Sequence, residues 1–253
     1  MLHPFLKHKT PIAFAHRGGA SDAPENTMPA FQRAIDLGYI YMETDVHATK
    51  DGALLAFHDD DLSRTCGRPG VIGELAYDEV KHARVNGTEH IPLLDELLTS
   101  WPHAHLNIDC KSDQALAPLI KRLEVGDIFD RVCIGSFSDK RLNAIRERFG
   151  EKICTSMGPR DVGKLRLGSW VRRTGKFENI HAAQVPVSQG PLTIVDKTFI
   201  TAAHNAGVQV HVWTIDDQAE MVRLLDLGVD GIMTDKPETL KKVLISRNAW
   251  HAN

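Results

Sequence analysis

The feature that most constrains this chain is an alternation that begins near Ala104 and holds to the last helix. Short apolar runs at 104–110, 131–136, 152–156, 182–187, 208–214 and 231–234 read as strands. Between and after them, 114–124, 139–149, 161–171, 197–206, 217–227 and 237–246 read as helices. Upstream, 11–15 reads as a strand, and 26–37 as a helix with Met28, Phe31, Ala34 and Ile35 at helical spacing and Gly38 behind it. Residues 41–59 read as strand, a Lys50-Asp51-Gly52 turn and a returning strand. Strands alternating with helices imply a parallel sheet, because a parallel neighbour is reached only through a long crossover. Eight such units in 253 residues favour a (β/α)8 TIM barrel, with an open doubly wound sheet as runner-up. The whole chain, 1–253, is expected to be one barrel domain. Roughly 60–91, where periodicity fades and glycine, proline and charge accumulate, is expected to be a small insertion after the second strand, helical near 77–83. Pro92 then opens a helix at its first turn.

Composition enters chiefly by exclusion. A net charge of −3, with the thirteen histidines neutral, gives no global field for nucleic acid. No run approaches the ~18 apolar residues of a membrane span, and the first ten residues hold no apolar stretch of signal-peptide length. Cys66, Cys110, Cys133 and Cys154 are widely spaced, with no Cys-x-x-Cys pair, and read as reduced thiols. These features predict a cytoplasmic protein acting on a small molecule, without stable membrane insertion. They leave open whether it forms a homodimer.

Strands of a parallel barrel are buried on both sides, so each polar residue on one needs a reason. Glu43, Asp45 and His47 share parity on the second strand, as do Asn107, Asp109 and Lys111 on the third. His16 and Arg17 follow the first strand, His58 and Asp59 end the hairpin, His211 and Trp213 share parity on the seventh, and Asp235 ends the eighth. All fall late in their strands, which places them around the mouth where such barrels hold their active sites. Glu43, Asp45 and Asp109 supply hard oxygen ligands suited to one divalent cation, Mg²⁺ or Ca²⁺. A salt-bridge network in which Arg17 and Lys111 neutralise them is the competing reading. His16 and His58 form a candidate acid–base pair for displacement at phosphorus. Arg17 and Lys111 would hold the phosphate oxygens.

Taken in order, the motifs resemble one family over nearly the whole chain. They are His16-Arg17-Gly18, Pro24-Glu25-Asn26-Thr27, Glu43-x-Asp45, Asp51-Gly52 and His58-Asp59-x-x-Leu62-x-Arg64-Thr65. Asn107-Ile108-Asp109-x-Lys111, Ser136-Phe137, Val212-Trp213-Thr214 and Gly231-Ile232-x-Thr234-Asp235-x-Pro237 follow. The chain resembles the glycerophosphodiester phosphodiesterases. The resemblance implies a (β/α)8 fold and hydrolysis of a glycerophosphodiester to glycerol phosphate and an alcohol. It implies His16 and His58 as the acid–base pair and a divalent metal on Glu43, Asp45 and the Asp109 position. It also implies attack by the substrate's own glycerol hydroxyl, giving a cyclic phosphate that water opens. Asp109 stands where the family commonly carries glutamate, about one methylene longer, and Cys66-Gly67-Arg68-Pro69 departs from the usual loop.

Trp213 and Phe137 are expected to wall the pocket. His47, His211 and Asn107 are expected to lie outside the ligands as supporting residues. Lys164, Arg166, Arg172, Arg173 and Lys176, interleaved with Leu165, Leu167, Trp170, Val171 and Phe177, could touch anionic headgroups but read first as a solvated outer helix and loop. Two alternatives accompany the leading function. One is a lysophospholipase D acting on an acylated diester, and the other is a catalytically weak phosphodiester-binding protein.

Overall fold

A computed structural model describes residues 2–9, 11–171 and 175–250. Eight strands form one parallel ladder: β1 (Ile12–Ala15), β2 (Tyr41–Ala48), β3 (His105–Cys110), β4 (Val132–Gly135), β5 (Cys154–Thr155), β6 (Ala182–Val185), β7 (Gln209–Val212) and β8 (Gly231–Thr234). The hydrogen-bonded order is β5-β4-β3-β2-β1-β8-β7-β6, so first and last strands pair in the middle of the path. The seam between β5 and β6 closes through a single parallel bridge, Ser156 with Ala182, with Met157 N–H donating to the Ala182 carbonyl at 2.8 Å. The ring is the predicted TIM barrel; the open sheet is excluded by that closure.

Its helices are α1 (Met28–Asp36), α2 (Leu94–Ser100), α3 (Asp113–Leu123), α4 (Asp139–Phe149), α5 (Pro159–Trp170), α6 (Lys197–Asn205), α7 (Gln218–Leu227) and α8 (Pro237–Ser246). Local chemistry sets their starts. Ser112, Ser138, Asp196 and Asp217 each turn a side-chain oxygen onto the amide three residues on, satisfying a donor the helix leaves unpaired. Gly228, at φ 99°, ends α7 in a left-handed turn. Helix α5 begins two residues earlier than expected, because Pro159 suits a first turn.

Two segments close the ends of the barrel. At the base, the turn Pro4–Leu6 drives Phe5 and Leu6, both fully buried, against Ile12, Phe14, Tyr41, Cys133, Cys154 and Met233. Tyr41 Oη donates to the Phe5 carbonyl, satisfying a hydroxyl that burial would otherwise leave unpaired. Short and aperiodic, this turn gave no sequence signal.

On the mouth side, the expected returning strand 54–59 shortens to Leu54–Ala56, antiparallel to β2, after which Phe57 N–H bonds the Asp45 carbonyl. The chain then runs through the short helices Ser63–Cys66 and Tyr77–Val80 and a small hairpin, Arg84–Val85 with Glu89–His90. Leu55, Phe57, Leu62, Ile72, Val80, Ala83, Val85 and Ile91 give this stretch its own buried cluster. Helix Tyr77–Val80 stops before Ala83, the end expected from the sequence.

Candidate active site

The mouth is organised by the turn His16–Gly18 that follows β1. Arg17 sits at φ 51°, ψ 31°, a left-handed conformation uncommon for arginine. Three anchors hold it there. Its amide donates to Glu43 Oε2 (3.1 Å), Nη1 donates to Glu25 Oε1 (2.9 Å), and Nε lies 3.1 Å from Asp45 Oδ2. Gly18, at φ 83°, must be glycine, because a Cβ would lie 2.8 Å from the Phe31 backbone nitrogen in α1. Helix α1 therefore presses directly on the turn that carries His16.

His16 Nδ1 lies 2.8 Å from Asp235 Oδ1, and Nε2 is 3.7 Å from Glu43 Oε2. Asp235 is itself held by its amide, which donates to Asp216 Oδ1. Burial pulls the His16 pKa down, but the negative charge of Glu43 and the Asp235 bond outweigh it, and the net shift is upward.

Asp45 and Asp109 face one another across β2 and β3, two register pairs above Glu43 and Asn107. Desolvation raises the Glu43 carboxyl, and the nearby Asp45 charge adds to it. Asp45 is as deeply buried, yet Arg17 and Lys111 overcome the desolvation and hold it below the usual range. Asn26 also donates to Asp45 Oδ2 at 3.0 Å. Asp109 is raised, again by burial first. Lys111 Nζ bridges Asp45 Oδ1 and Asp109 Oδ2, at 3.3 Å from each.

The second histidine is oriented in the same manner as the first. His58 Nδ1 lies 2.6 Å from Asp59 Oδ1, and His47 Nε2 bonds the His58 carbonyl at 3.1 Å. His47 therefore fixes the backbone under His58 rather than joining the carboxylates. Arg64, from helix Ser63–Cys66, forks onto both Asp59 and Glu25. It holds the Asp59 carboxyl low, at about 2. Over the mouth stand Phe137, 66% exposed, and Trp213, with ring centroids 5.7 Å apart, and Lys111 Nζ is 5.8 Å from the Phe137 centroid.

One expected residue lies deeper than the sequence implied. His211 pairs in register with Gly231, the first residue of β8, and is fully buried beneath the mouth. Parity placed it on the inner face correctly but did not give its height. Its Nδ1 is 3.4 Å from Gln184 Nε2, which donates to Asn107 Oδ1 at 2.7 Å, and its Nε2 is 3.0 Å from Gln209 Oε1. Among the described residues, neither His211 nor Asn107 bonds Glu43, Asp45 or Asp109. Gln184 was missed, and its signal was a lone amide on an otherwise apolar buried strand. Glu25 and Arg64 stood in quoted motifs without a role. Of the basic segment around α5, Arg172 and Arg173 lie outside the described residues. Arg166 is buried against Asp196 and the Ile194 carbonyl, so the solvated-helix reading does not extend to it.

The carboxylates offer suitable donors for a hard cation. Asp109 Oδ1 is buried and has no partner, a condition that an ion or a water would relieve. Among the described residues no three His, Cys, Asp or Glu side chains converge closely enough to hold an ion, and Lys111 Nζ stands between Asp45 and Asp109. The salt-bridge network weighed from the sequence is thus present among these residues.

Residues 16–239 match the profile of the Glycerophosphoryl diester phosphodiesterase family. The chain is 37% identical over 254 residues to Probable glycerophosphodiester phosphodiesterase 2 of Mycobacterium tuberculosis, covering 97% of this chain and 95% of that protein. It is 32% identical over 246 residues to a glycerophosphodiester phosphodiesterase of Caldanaerobacter subterraneus, covering 90% and 96%. In fold it resembles an Oleispira antarctica phosphodiesterase solved with the product sn-glycerol-3-phosphate. That likeness has a TM-score of 0.75 at 22% identity, covering 93% of this chain and 97% of that one. Among the described residues no helix is long and apolar enough to cross a membrane.

Proposed function

The chain belongs to the glycerophosphoryl diester phosphodiesterase family, and we propose that it hydrolyses glycerophosphodiesters to glycerol 3-phosphate and an alcohol, with His16 and His58 as its acid–base pair. The observation that carries this is a matched orientation. Each imidazole is gripped at Nδ1 by a carboxylate, Asp235 for His16 and Asp59 for His58. That leaves each Nε2 as the nitrogen available to a reacting oxygen.

A displacement at phosphorus needs one base and one acid. One histidine takes the proton of the attacking glycerol hydroxyl as its oxygen bonds phosphorus. The other gives a proton to the departing alcohol oxygen as its bond to phosphorus breaks. Water then opens the cyclic phosphate with the two roles reversed, and both histidines regain their starting states. Attack from within the substrate avoids most of the entropy cost of gathering two reactants.

Arg17 and Lys111, already set among carboxylates, would bind the phosphate oxygens, the first as a planar fork and the second as a point charge. Glu43, Asp45 and Asp109 would hold a divalent cation, Mg²⁺ or Ca²⁺, which when bound supplies electrostatic stabilisation of the phosphate oxygens. Phe137 and Trp213 would flank the glycerol or the leaving alcohol.

The test is choline release from glycerophosphocholine by EDTA-stripped protein, with Mg²⁺ or Ca²⁺ restored separately. Metal-restored turnover that falls by about 10²–10⁴-fold in His16→Ala and in His58→Ala is expected. Absence of turnover with either ion across several headgroups refutes the reading.

A further inference from the structure

The segment between the short strand Leu54–Ala56 and α2 carries His58 and Asp59 at the mouth and reaches further across it through Arg64. Arg64 Nη1 donates to Glu25 Oε2 at 2.9 Å and Nη2 to Glu25 Oε1 at 2.7 Å, while Nε and Nη2 bond the two oxygens of Asp59. Each carboxylate turns another oxygen contact onto a residue of the proposed chemistry. Glu25 holds Arg17 Nη1, and Asp59 holds His58 Nδ1. The order His58, Asp59, Arg64, Glu25, Arg17, Asp45 is thus a continuous chain of charge-assisted contacts between the acid–base side of the mouth and the phosphate side.

Arg64 is fixed from behind. Leu62 is fully buried in the segment's own cluster. Asp61 accepts from the amides of Ser63 (2.7 Å) and Gly70 (3.0 Å), and Asn86 N–H bonds the Thr65 carbonyl at 2.7 Å. None of these contacts uses the guanidinium, so the segment's fold does not depend on it.

We infer that Arg64 is a positioning residue that sets His58 and Arg17 relative to each other; this rests on the phosphodiesterase reading above. It touches neither reacting group. A planar fork can satisfy two carboxylates at once, whereas an ammonium on a flexible stem acts as a point charge and cannot hold both in plane. Without the fork, Asp59 swings with His58, and Glu25 keeps Arg17 as its sole basic partner and draws it away from Asp45.

The experiment compares Arg64→Gln and Arg64→Lys in the full chain, with glycerophosphocholine as substrate and the restored ion present. Misplacement of this kind is expected to lower kcat by about 10–100-fold in Arg64→Gln, with Arg64→Lys intermediate. The thermal midpoint and the protease resistance of residues 57–93 stay as in the parent. The side-chain Nε–H resonance of Arg17 shifts in Arg64→Gln, a readout independent of turnover. The inference is overturned if Arg64→Gln keeps kcat within about twofold of the parent with the Arg17 signal unmoved. It is equally overturned if the loss of activity tracks proteolytic opening of 57–93 and is the same for Lys as for Gln. A parent chain that turns over no diester refutes the phosphodiesterase reading instead, and the Arg17 resonance then still decides whether Arg64 sets the guanidinium.

Discussion

Substituting His211 by glutamine should flatten the acid side of the stability curve. His211 sits at the heart of the barrel against Phe14, 5.0 Å between rings, and a Cβ on Gly231 would lie 2.9 Å from its Cδ2. Its partners fix a neutral tautomer, with Nε2–H donating to Gln209 Oε1 and Nδ1 accepting from Gln184 Nε2–H. A second proton on Nδ1 would point at a donor in a fully buried site. Burial accordingly lowers its pKa to about 3. With 6.5 in the unfolded chain, the unfolded state binds the extra proton between those values. The stability contribution is therefore complete above pH 6.5 and is lost as pH falls toward the folded value. At pH 5 this amounts to RT times the logarithm of ~32, about 2 kcal/mol, and at pH 7 to less than about 0.2 kcal/mol. His16, Glu43 and Asp109, all shifted upward, push in the opposite direction, so the informative quantity is the difference between two proteins. Urea unfolding at pH 7 and pH 5 should show the parent losing about 2 kcal/mol more than His211→Gln over that interval. Parallel curves for the two proteins would refute the buried-neutral assignment.

Gly18→Ala is expected to cost about 2–4 kcal/mol, from a side chain forced into the left-handed region and from contact with α1. A denaturant midpoint unchanged to within about 0.5 kcal/mol would contradict the close approach. Phe137→Ala, at a largely exposed site, should change stability by less than about 0.5 kcal/mol while raising KM several-fold for glycerophosphocholine. An unchanged KM would remove Phe137 from the substrate wall.

The barrel and most of its mouth were legible because burial on both faces makes each polar residue on a strand conspicuous. Glu43, Asp45 and Asp109 stood out for that reason, as did His16 and His58 where apolar runs end. What the one-dimensional pattern could not supply was height and pairing. His211 shares parity with Trp213, yet register places it beside Gly231, below the mouth. Lys111 read as a phosphate ligand or as a neutraliser of the carboxylates, and its contact with both Asp45 and Asp109 depends on a register that sets those two opposite each other. Glu25 and Arg64 are 39 residues apart and acquire meaning only when the intervening strand and turn bring them together. The base was illegible for a different reason: three residues of turn carry no periodicity.

The His16–Asp235 contact spans 219 positions, and the eighth strand pairs directly with the first. A chain growing from its N-terminus therefore makes His16 with the first strand and its carboxylate only after the eighth. Nascent protein stalled before β8 would hold the other histidine, the Arg64 fork and the acidic strand, yet His16 would lack its Asp235 partner beside an open edge. Completion of the barrel and the orienting of its first histidine are thus a single event in biosynthesis.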